Sequence, residues 1–381
     1  MPRIDVAIYA PAAACLYERR PEVTGGAERQ TVLLARALSR AGLTVGHIVL
    51  PVREPDPTLV GSVRLVEGSL GATGRGLPGR VRQLRRIWSA LADADADVYV
   101  FRSGVAAIGI GALYCRLHRR RLIFAASNDL DFTFDFFAGR RPELELYKRG
   151  VRRADAIVVQ NERQLRLARE TFPDVDLVAE VPSFAEAAAT ADEAPAAFLW
   201  VGRLDRFKQP LRYLDLAASV PEARFWMLVR RLDPDRAGGI PGGRRERELE
   251  AEALRRAEAL PNLELVEQRP HAETMKLIDR AVAIVNTGSA EGMPNLFLEA
   301  WARGVPVLSF DFDPDGRIDA LELGVAAEGS PDAFHEGARR LWRERDDRAE
   351  LAARARAYIE ATHGLDAVAT RWRELIESVR G

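Results

Sequence analysis

The stretch SAEGMPNLFLEAWARGVPVL, Ser289–Leu308, sets two glutamates, Glu291 and Glu299, around the start of a helix. Pro294 suits the first helical position, where its missing N–H costs nothing, and Gly304 suits the position just past the last turn. The spacing therefore predicts a helix over residues 294–303. Before it, AVAIVN (281–286) is a short apolar run that reads as a buried strand, and Val305 to Phe310 reads as another. In this strand–loop–helix–strand unit the N–H groups of Asn295 and Leu296 lie at the positive end of the helix dipole, an arrangement that binds phosphate. Glu299 falls roughly 6–8 Å along the helix axis, at about 1.5 Å per residue, so the two carboxylates reach different parts of one extended ligand. A diphosphate with hydroxyl-rich groups at both ends fits that layout. So does a plainer arrangement, with Glu291 as a cap and Glu299 as a solvated surface residue.

The same alternation runs outward in both directions. Ile4 to Ala10 reads as a strand, Ala27 to Ala41 as a helix closed by Gly42, and Val45 to Leu50 as the next strand. Further apolar runs follow at 97–103, 121–127, 156–160 and 176–181. A second series starts with AFLWVG (197–202) and continues at 224–229, 262–267 and 281–286. Between them PSFAEAAATADEAP (182–195) has proline at both ends and no sustained apolar face, as an interdomain linker does. The expected fold class is α/β, with two doubly wound, Rossmann-like domains and the ligand cleft between them. AGGIPGG (237–243) reads as a mobile surface loop. Beyond residue 331 the chain is helical and charged, with Trp342, Leu351, Tyr358, Leu365, Trp372 and Leu375 available for packing.

Composition narrows the function. At 381 residues the chain exceeds what one core usually organises. Hydrophobic residues make up 47% and charged residues 29%, so disorder is not indicated. Formal net charge is −1 from 55 basic and 56 acidic side chains, which provides no general attraction to nucleic acid. Two cysteines, Cys15 and Cys115, match no metal-ligand spacing and no disulfide framework. The amino terminus enters a strand without a signal core, and no run approaches 18 uncharged apolar residues. A cytoplasmic protein is expected, with attachment at the inner face of a cell membrane left open.

Several segments carry groups suited to chemistry. GRLDRFKQP (202–210) follows the first strand of the second series and sets Arg203 and Lys208 at a strand's carboxyl end, where two cations neutralise a diphosphate. GGAERQ (25–30) joins a loop to a helix, and Gly26 lets a backbone approach a phosphate or sugar. It is neither a P-loop nor a dinucleotide fingerprint. SNDLDF (127–132) follows a strand, with Asn128, Asp129 and Asp131 polar. Alternate residues on an extended segment share a face, so the two aspartates suit either a divalent cation or, without metal, an acceptor hydroxyl. The choice between the two rests on the resemblance given below, which implies Arg203 and Lys208 in a cation's place. RPHAETM (269–275) sets His271 before a short helix, as a capping or surface residue. GRVRQLRRIWSAL (79–91) aligns Val81, Leu84, Trp88 and Leu91 on a helical stripe among four arginines, and RLHRRR (116–121) adds charge. The stripe suits packing on its own sheet or contact with an anionic membrane.

Glu291, Gly292, Met293, Pro294, Asn295, Glu299, Ala300 and the run Gly304–Val307 resemble the glutamate-seven residues-glutamate signature of retaining glycosyltransferases of family 4, which have two facing Rossmann-like domains (GT-B). VGRLDRFK resembles that family's Val-Gly-Arg-Leu followed by Lys, and GGAE its paired glycines near a glutamate. Gln209 stands where the family has a small residue or Asn, and Asn128 where many members have His. The resemblance implies a nucleotide diphosphate sugar donor, UDP- or GDP-linked, and no metal cofactor. It implies donor contacts from Gly26, Arg203, Lys208, Glu291, Gly292, Met293, Asn295, Leu296 and Glu299, with Gln268 and Arg269 near the base. Glu291, Arg203, Lys208 and Asp129 are the expected catalytic residues, and Asn128, Asp129 and Asp131 the expected acceptor side. It further implies an acceptor domain over 1–185, joined by a returning helix at 364–381, and a donor domain over 196–363. A sugar, a lipid-linked sugar or a small molecule would be the acceptor, in cell-envelope polysaccharide, glycolipid or glycoconjugate synthesis. An epimerase or hydrolase on the same frame, or a silent homologue that only binds nucleotide sugar, uses the same residues.

Overall fold

The computed structural model describes residues 3–19, 25–69, 77–189, 193–230 and 244–381. The segment 237–243 lies outside them. The chain divides into two units, Met1–Phe184 with Leu365–Gly381, and Ala185–Gly364.

Unit 1 begins with β1 (Ile4–Tyr9), α1 (Gly26–Arg40), β2 (Val45–Val49), the single turn α2 (Pro57–Val60), β3 (Arg64–Glu67) and α3 (Leu77–Ala94). It continues with β4 (Ala96–Arg102), α4 (Ala107–His118), β5 (Arg121–Ala125), the turn α5 (Leu130–Thr133), α6 (Arg141–Val151), β6 (Ala156–Val159), α7 (Glu162–Thr171) and β7 (Val178–Glu180). The strands form one sheet in the order β3-β2-β1-β4-β5-β6-β7, with every neighbouring pair parallel. Parallel strands require crossover helices on both faces, which explains why β1 and β4 read as unbroken apolar runs instead of alternating.

In unit 2, β8 (Ala197–Gly202), α8 (Pro210–Ser219), β9 (Phe225–Val229), α9 (Arg244–Ala259) and β10 (Leu263–Val266) come first. Next are α10 (His271–Asp279), β11 (Ala281–Asn286), α11 (Asn295–Ala302), β12 (Val307–Ser309), the turn α12 (Arg317–Ala320) and β13 (Gly324–Ala326). Helices α13 (Pro331–Arg343) and α14 (Ala349–Tyr358) close it, and α15 (Leu365–Arg380) belongs to unit 1. The second sheet runs β10-β9-β8-β11-β12-β13, again all parallel. Both orders have the doubly wound form, with reversal at β1/β4 and at β8/β11.

Local chemistry accounts for the ends. Pro294 is the cap of α11 with extended ψ of 120°, so the helix begins one residue later than its first-turn preference predicts. Gly304 takes φ +73°, and a Cβ there would run into that of Ala352 on α14, which reserves the position for glycine on two counts. The short strands β3 and β13 have no counterpart in the sequence reading. Each has only three or four residues, and β3 carries Arg64 and Glu67 on its exposed positions.

The expected linker is buried where it starts. Pro182 to Ala185 are all buried, because the Gln30 amide donates to the Phe184 carbonyl at 2.8 Å and accepts from the Phe184 N–H at 2.8 Å. A side chain thus replaces the sheet partner that the departing backbone lacks. In unit 2 the N–H of Ala185 donates to the carbonyl of His363, at the end of a π-helical turn over Ile359–His363.

Helix α3 also departs from expectation. Ile87, Ala90, Leu91 and Ala94 face the core, whereas Val81 and Leu84 are 40% and 41% exposed. Helix α15 instead buries a full stripe, Val368, Trp372, Ile376 and Val379, in the same apolar cluster as Val6, Ile8, Leu34 and Leu38. With Trp372 only 2% exposed, we expect Trp372→Ala to cost about 3–5 kcal/mol of unit 1 stability, read as a lower urea midpoint. An unmoved midpoint would show that the core of unit 1 does not depend on this helix.

Candidate functional site

In unit 2 the loops that leave β8 and β11 lie side by side, because these strands are neighbours in the sheet. A single carboxylate arranges the first loop. Asp205 Oδ1 accepts the N–H groups of Phe207 and Lys208 at 3.1 and 3.0 Å, and Oδ2 pairs with Arg203 at 2.9 Å. The loop is then tied to the second one. Thr287 Oγ1 accepts from Trp200 Nε1 at 3.0 Å and donates to the Lys208 carbonyl at 2.6 Å, and the Ser289 N–H donates to the Phe207 carbonyl. Lys208 Nζ reaches Glu291 Oε1 at 2.6 Å. Glu291 is 8% exposed, and its carboxylate lies where a Cβ on Gly288 would sit, so glycine there makes room for it. Gln209 has φ +46°, in the left-handed region that favours Gly and Asn. It is the same residue that departs from the resembled pattern.

Arg203, Lys208 and Glu291 therefore form one group at the carboxyl edge of the sheet, next to the start of α11, where Gly292 and Met293 are buried and Asn295 and Leu296 half-buried. Two fixed cations beside a helix N-terminus make a site for a polyanion. Glu299, farther along α11, belongs to a different group. Its Oε1 meets His271 Nε2 at 2.7 Å, so the histidine read as a cap or surface residue pairs with the second signature glutamate. Gln268 and Arg269, just before His271 in the loop after β10, are exposed.

In unit 1 the aspartate pair has a different geometry from the one expected. Asp129 and Asp131 lie at the start of the helical turn α5, not on an extended segment. Asp131 is fully buried, and its Oδ2 accepts from the N–H groups of Ser127 and Asn128 and from Ser127 Oγ, at 2.6, 3.3 and 3.1 Å. This carboxylate ties down the turn after β5, and the expectation of two aspartates sharing a face of an extended segment is corrected, because the backbone turns helical there. Asp129 is 3% exposed and pairs with Arg163 at 2.8 Å. Asn128 Oδ1 accepts the Leu130 N–H at 3.0 Å, the bond of an Asx turn. Gly26 is the first residue of α1, and Gly25 caps it.

One buried charged group was not singled out in the sequence. Arg102 ends β4 at the strand-order reversal, and its Nε is buried without a hydrogen-bond partner among the described residues. Burial pulls its guanidinium down to about 10, against the pull of Asp131 and Glu28. The signal was present in VYVFRS, where an arginine closes an apolar strand at its carboxyl end. No group of three or more His, Cys, Asp and Glu among the described residues is arranged to hold a metal ion.

Comparison with known proteins agrees with this architecture. The family model described as Glycosyltransferase Family 4 matches residues 24–182, and that described as Glycosyl transferases group 1 matches residues 184–358. Sucrose-phosphate synthase from Thermosynechococcus elongatus superposes with a TM-score of 0.74 at 16% identity, over 99% of both chains. HepE of Anabaena, solved in complex with UDP-glucose, superposes with a TM-score of 0.71 at 14% identity, over 99% of this chain and 100% of that one. The chain thus carries matches to two glycosyltransferase family models, one in each unit, and has the two-sheet α/β fold called GT-B. Glycosyltransferase 1 domain-containing protein 1 of Xenopus tropicalis is 26% identical over 125 residues, which are 33% of this chain and 36% of that relative. The chain thus aligns with about a third of the curated relative's length.

Burial pushes the Asp131 carboxyl up to about 6 from 3.8, against the hydrogen bonds from Ser127 and Asn128 and the charge of Arg102. Between those values the folded state holds a proton that the unfolded chain has released, so this group lowers stability as pH rises from about 4 to about 6. We expect Asp131→Asn to flatten that part of the melting temperature–pH curve relative to the unaltered protein. Parallel curves would mean that the carboxyl titrates normally.

Proposed function

We propose that this chain is a retaining glycosyltransferase that moves a sugar from a UDP- or GDP-linked donor to an acceptor hydroxyl without a metal cofactor. The observation that carries the reading is the group of Arg203, Lys208 and Glu291 at the start of α11, held by Asp205 and Thr287. As the anomeric C–O bond breaks, its electron pair goes to the diphosphate oxygen. Arg203, Lys208 and the N–H end of α11 then stabilise the growing charge, an effect of about 10²–10³ in rate when one such donor is removed. Glu291, within reach of Lys208, orients the transferred sugar or stabilises its cationic transition state. Glu299 binds ribose hydroxyls from its place on α11, with His271 holding its carboxylate in orientation. Gln268 and Arg269 contact the base. The acceptor hydroxyl attacks from the leaving-group face, which retains configuration without an enzyme nucleophile. Asn128 and Asp129 of unit 1 are the acceptor-side residues, with Asp129 orienting the hydroxyl or taking its proton.

The UDP-glucose bound to HepE makes UDP-sugars the first donors to test, with GDP-sugars second. We place the acceptor in cell-envelope polysaccharide, glycolipid or glycoconjugate synthesis at the inner face of a membrane. No helix among the described residues is long and apolar enough to cross a membrane. Support for surface contact comes from α3 and α4, which pack together through Trp88 and Tyr114 and leave Val81, Leu84, Leu113 and Leu117 exposed among arginines.

Donor binding and slow hydrolysis of UDP- and GDP-sugars, followed by mass spectrometry, test the assignment. Lys208→Ala is expected to weaken donor binding at least tenfold and to cut turnover about 10²–10³-fold. Glu299→Ala should weaken binding with a smaller effect on turnover. Donor binding unchanged in both variants rules out this site. Sugar released only to water would make the protein a hydrolase, and saturable binding without turnover of any donor–acceptor pair would make it a silent homologue.

A further inference from the structure

We propose that unit 1 carries a second ligand site, an arginine-lined pocket for a phosphate-bearing anion, at the edge of its sheet opposite the one where Ser127–Asp131 lie. A cavity of about 780 Å³ is lined by seven arginines and two aspartates. Its walls come from segments far apart in sequence. Arg3 precedes β1, Asp97 lies near the start of β4, Arg121 begins β5, Asp155 precedes β6, and Arg380 ends α15. Because all strands of the sheet run in one direction, these residues mark its amino edge.

Most of the aspartate charge is already engaged. Asp97 takes Arg3 at 2.7 Å, Arg120 at 3.2 Å and Arg380 at 2.5 Å. Arg380 also holds Asp5 at 2.7 Å, Arg120 holds Asp95 at 2.6 Å, and Arg121 pairs with Asp155 at 3.0 Å. Arg116, Arg119 and Arg153 line the same cavity and make no ion pair among the described residues. Even with Asp5 and Asp95 counted, the arginines exceed the aspartates by three. Arg120 Nε is buried without a hydrogen-bond partner among the described residues, so a donor inside the cluster is left unsatisfied there.

A helix C-terminus favours basic residues, which accounts for Arg116 and Arg119 at the end of α4. It accounts also for Arg153, two residues past the end of α6 with Nη1 on the Arg149 carbonyl at 3.3 Å, but not for Arg3 and Arg121, which precede and begin strands. Guanidinium groups converging from several segments match the oxygens of a phosphate, each by two parallel hydrogen bonds. Beside them on α4, Leu113 and Leu117 are 49% and 63% exposed, so a phosphate attached to an apolar chain finds both of its parts matched. The same chemistry is offered by a lipid headgroup and by a soluble diphosphate.

The test uses the whole chain in a Lys208→Ala background, so that pyrophosphate at the proposed donor site adds less to the signal and adds equally in every form compared. Calorimetric titration with pyrophosphate and co-sedimentation with vesicles of phosphatidylglycerol and phosphatidylcholine are run on three forms. These are the background itself, the background with Arg116→Ala and Arg153→Ala, and the background with Arg169→Ala and Arg371→Ala as exposed arginines off the pocket. The pocket pair breaks no ion pair, so its melting temperature should match that of the background. We expect it alone to lose at least tenfold in binding. Loss of pyrophosphate binding without vesicle binding identifies a soluble ligand, and loss of vesicle binding a lipid headgroup; either supports the site. Equal losses in both pairs, or none in either, overturn it. Donor binding unaltered by Lys208→Ala would remove the proposed donor site and leave this pocket standing.

Discussion

Parallel pairing is the constraint on which everything else in this molecule depends. A parallel neighbour cannot be reached by a tight turn, so each strand is followed by a crossover, and crossovers of one hand let a sheet grow in one direction from its first strand. Growth can then reverse only by returning to the other side of that strand. In unit 2 the return sets β11 beside β8, and the helices that follow the two strands lie on opposite faces. Their loops have no helix between them at the carboxyl edge. Lys208 and Glu291 meet there although 83 positions separate them in sequence. In unit 1 the same reversal at β1 and β4 leaves Arg102 at the corresponding edge.

Charges at that edge are arranged before any ligand arrives. Asp205 fixes both Arg203 and the backbone that presents Lys208, while Glu291 occupies the ammonium. For the diphosphate of the proposed donor, cations that are already oriented mean that less side-chain freedom is lost on binding. Neutralisation inside the site also explains how so basic a loop fits in a chain whose net charge is −1.

Long buried strands were legible because both faces are covered: AFLWVG and AVAIVN announce themselves as unbroken apolar runs. The edge strands β3 and β13 were not, since an edge needs little apolar surface and three or four residues carry no period. Among the candidate site residues, Arg203, Lys208 and Glu291 lie after a strand or before a helix, but it was the resemblance to a family signature, and not position alone, that singled them out. The pairing of His271 with Glu299 could not be read from the sequence, because it depends on how α10 and α11 pack, which no local pattern records. Asp131 misled for a related reason. Alternation with Asp129 reads as a shared face, but the backbone turns helical there, and burial converts a would-be ligand into a brace for the loop. Val81 and Leu84 misled in the other direction, lying on an apolar stripe that the core takes up only from Ile87 onward.

Helix α15 has a consequence in time. Unit 1 lacks one wall of its apolar core until Val368, Trp372, Ile376 and Val379 arrive. All of Ala185–Gly364 lies between that helix and the rest of the unit. At a synthesis rate of about 5–20 residues per second, on the order of 10–40 s separate the making of Phe184 from the making of α15. Throughout that interval α1, through Leu34 and Leu38, is on the nascent chain to pack with Val6 and Ile8, and the area that α15 will cover waits while a second α/β unit is being made. The order of the gene thus imposes a period of vulnerability, and holding off premature association is a task for the ribosome surface and chaperones, since the sequence cannot yet perform it.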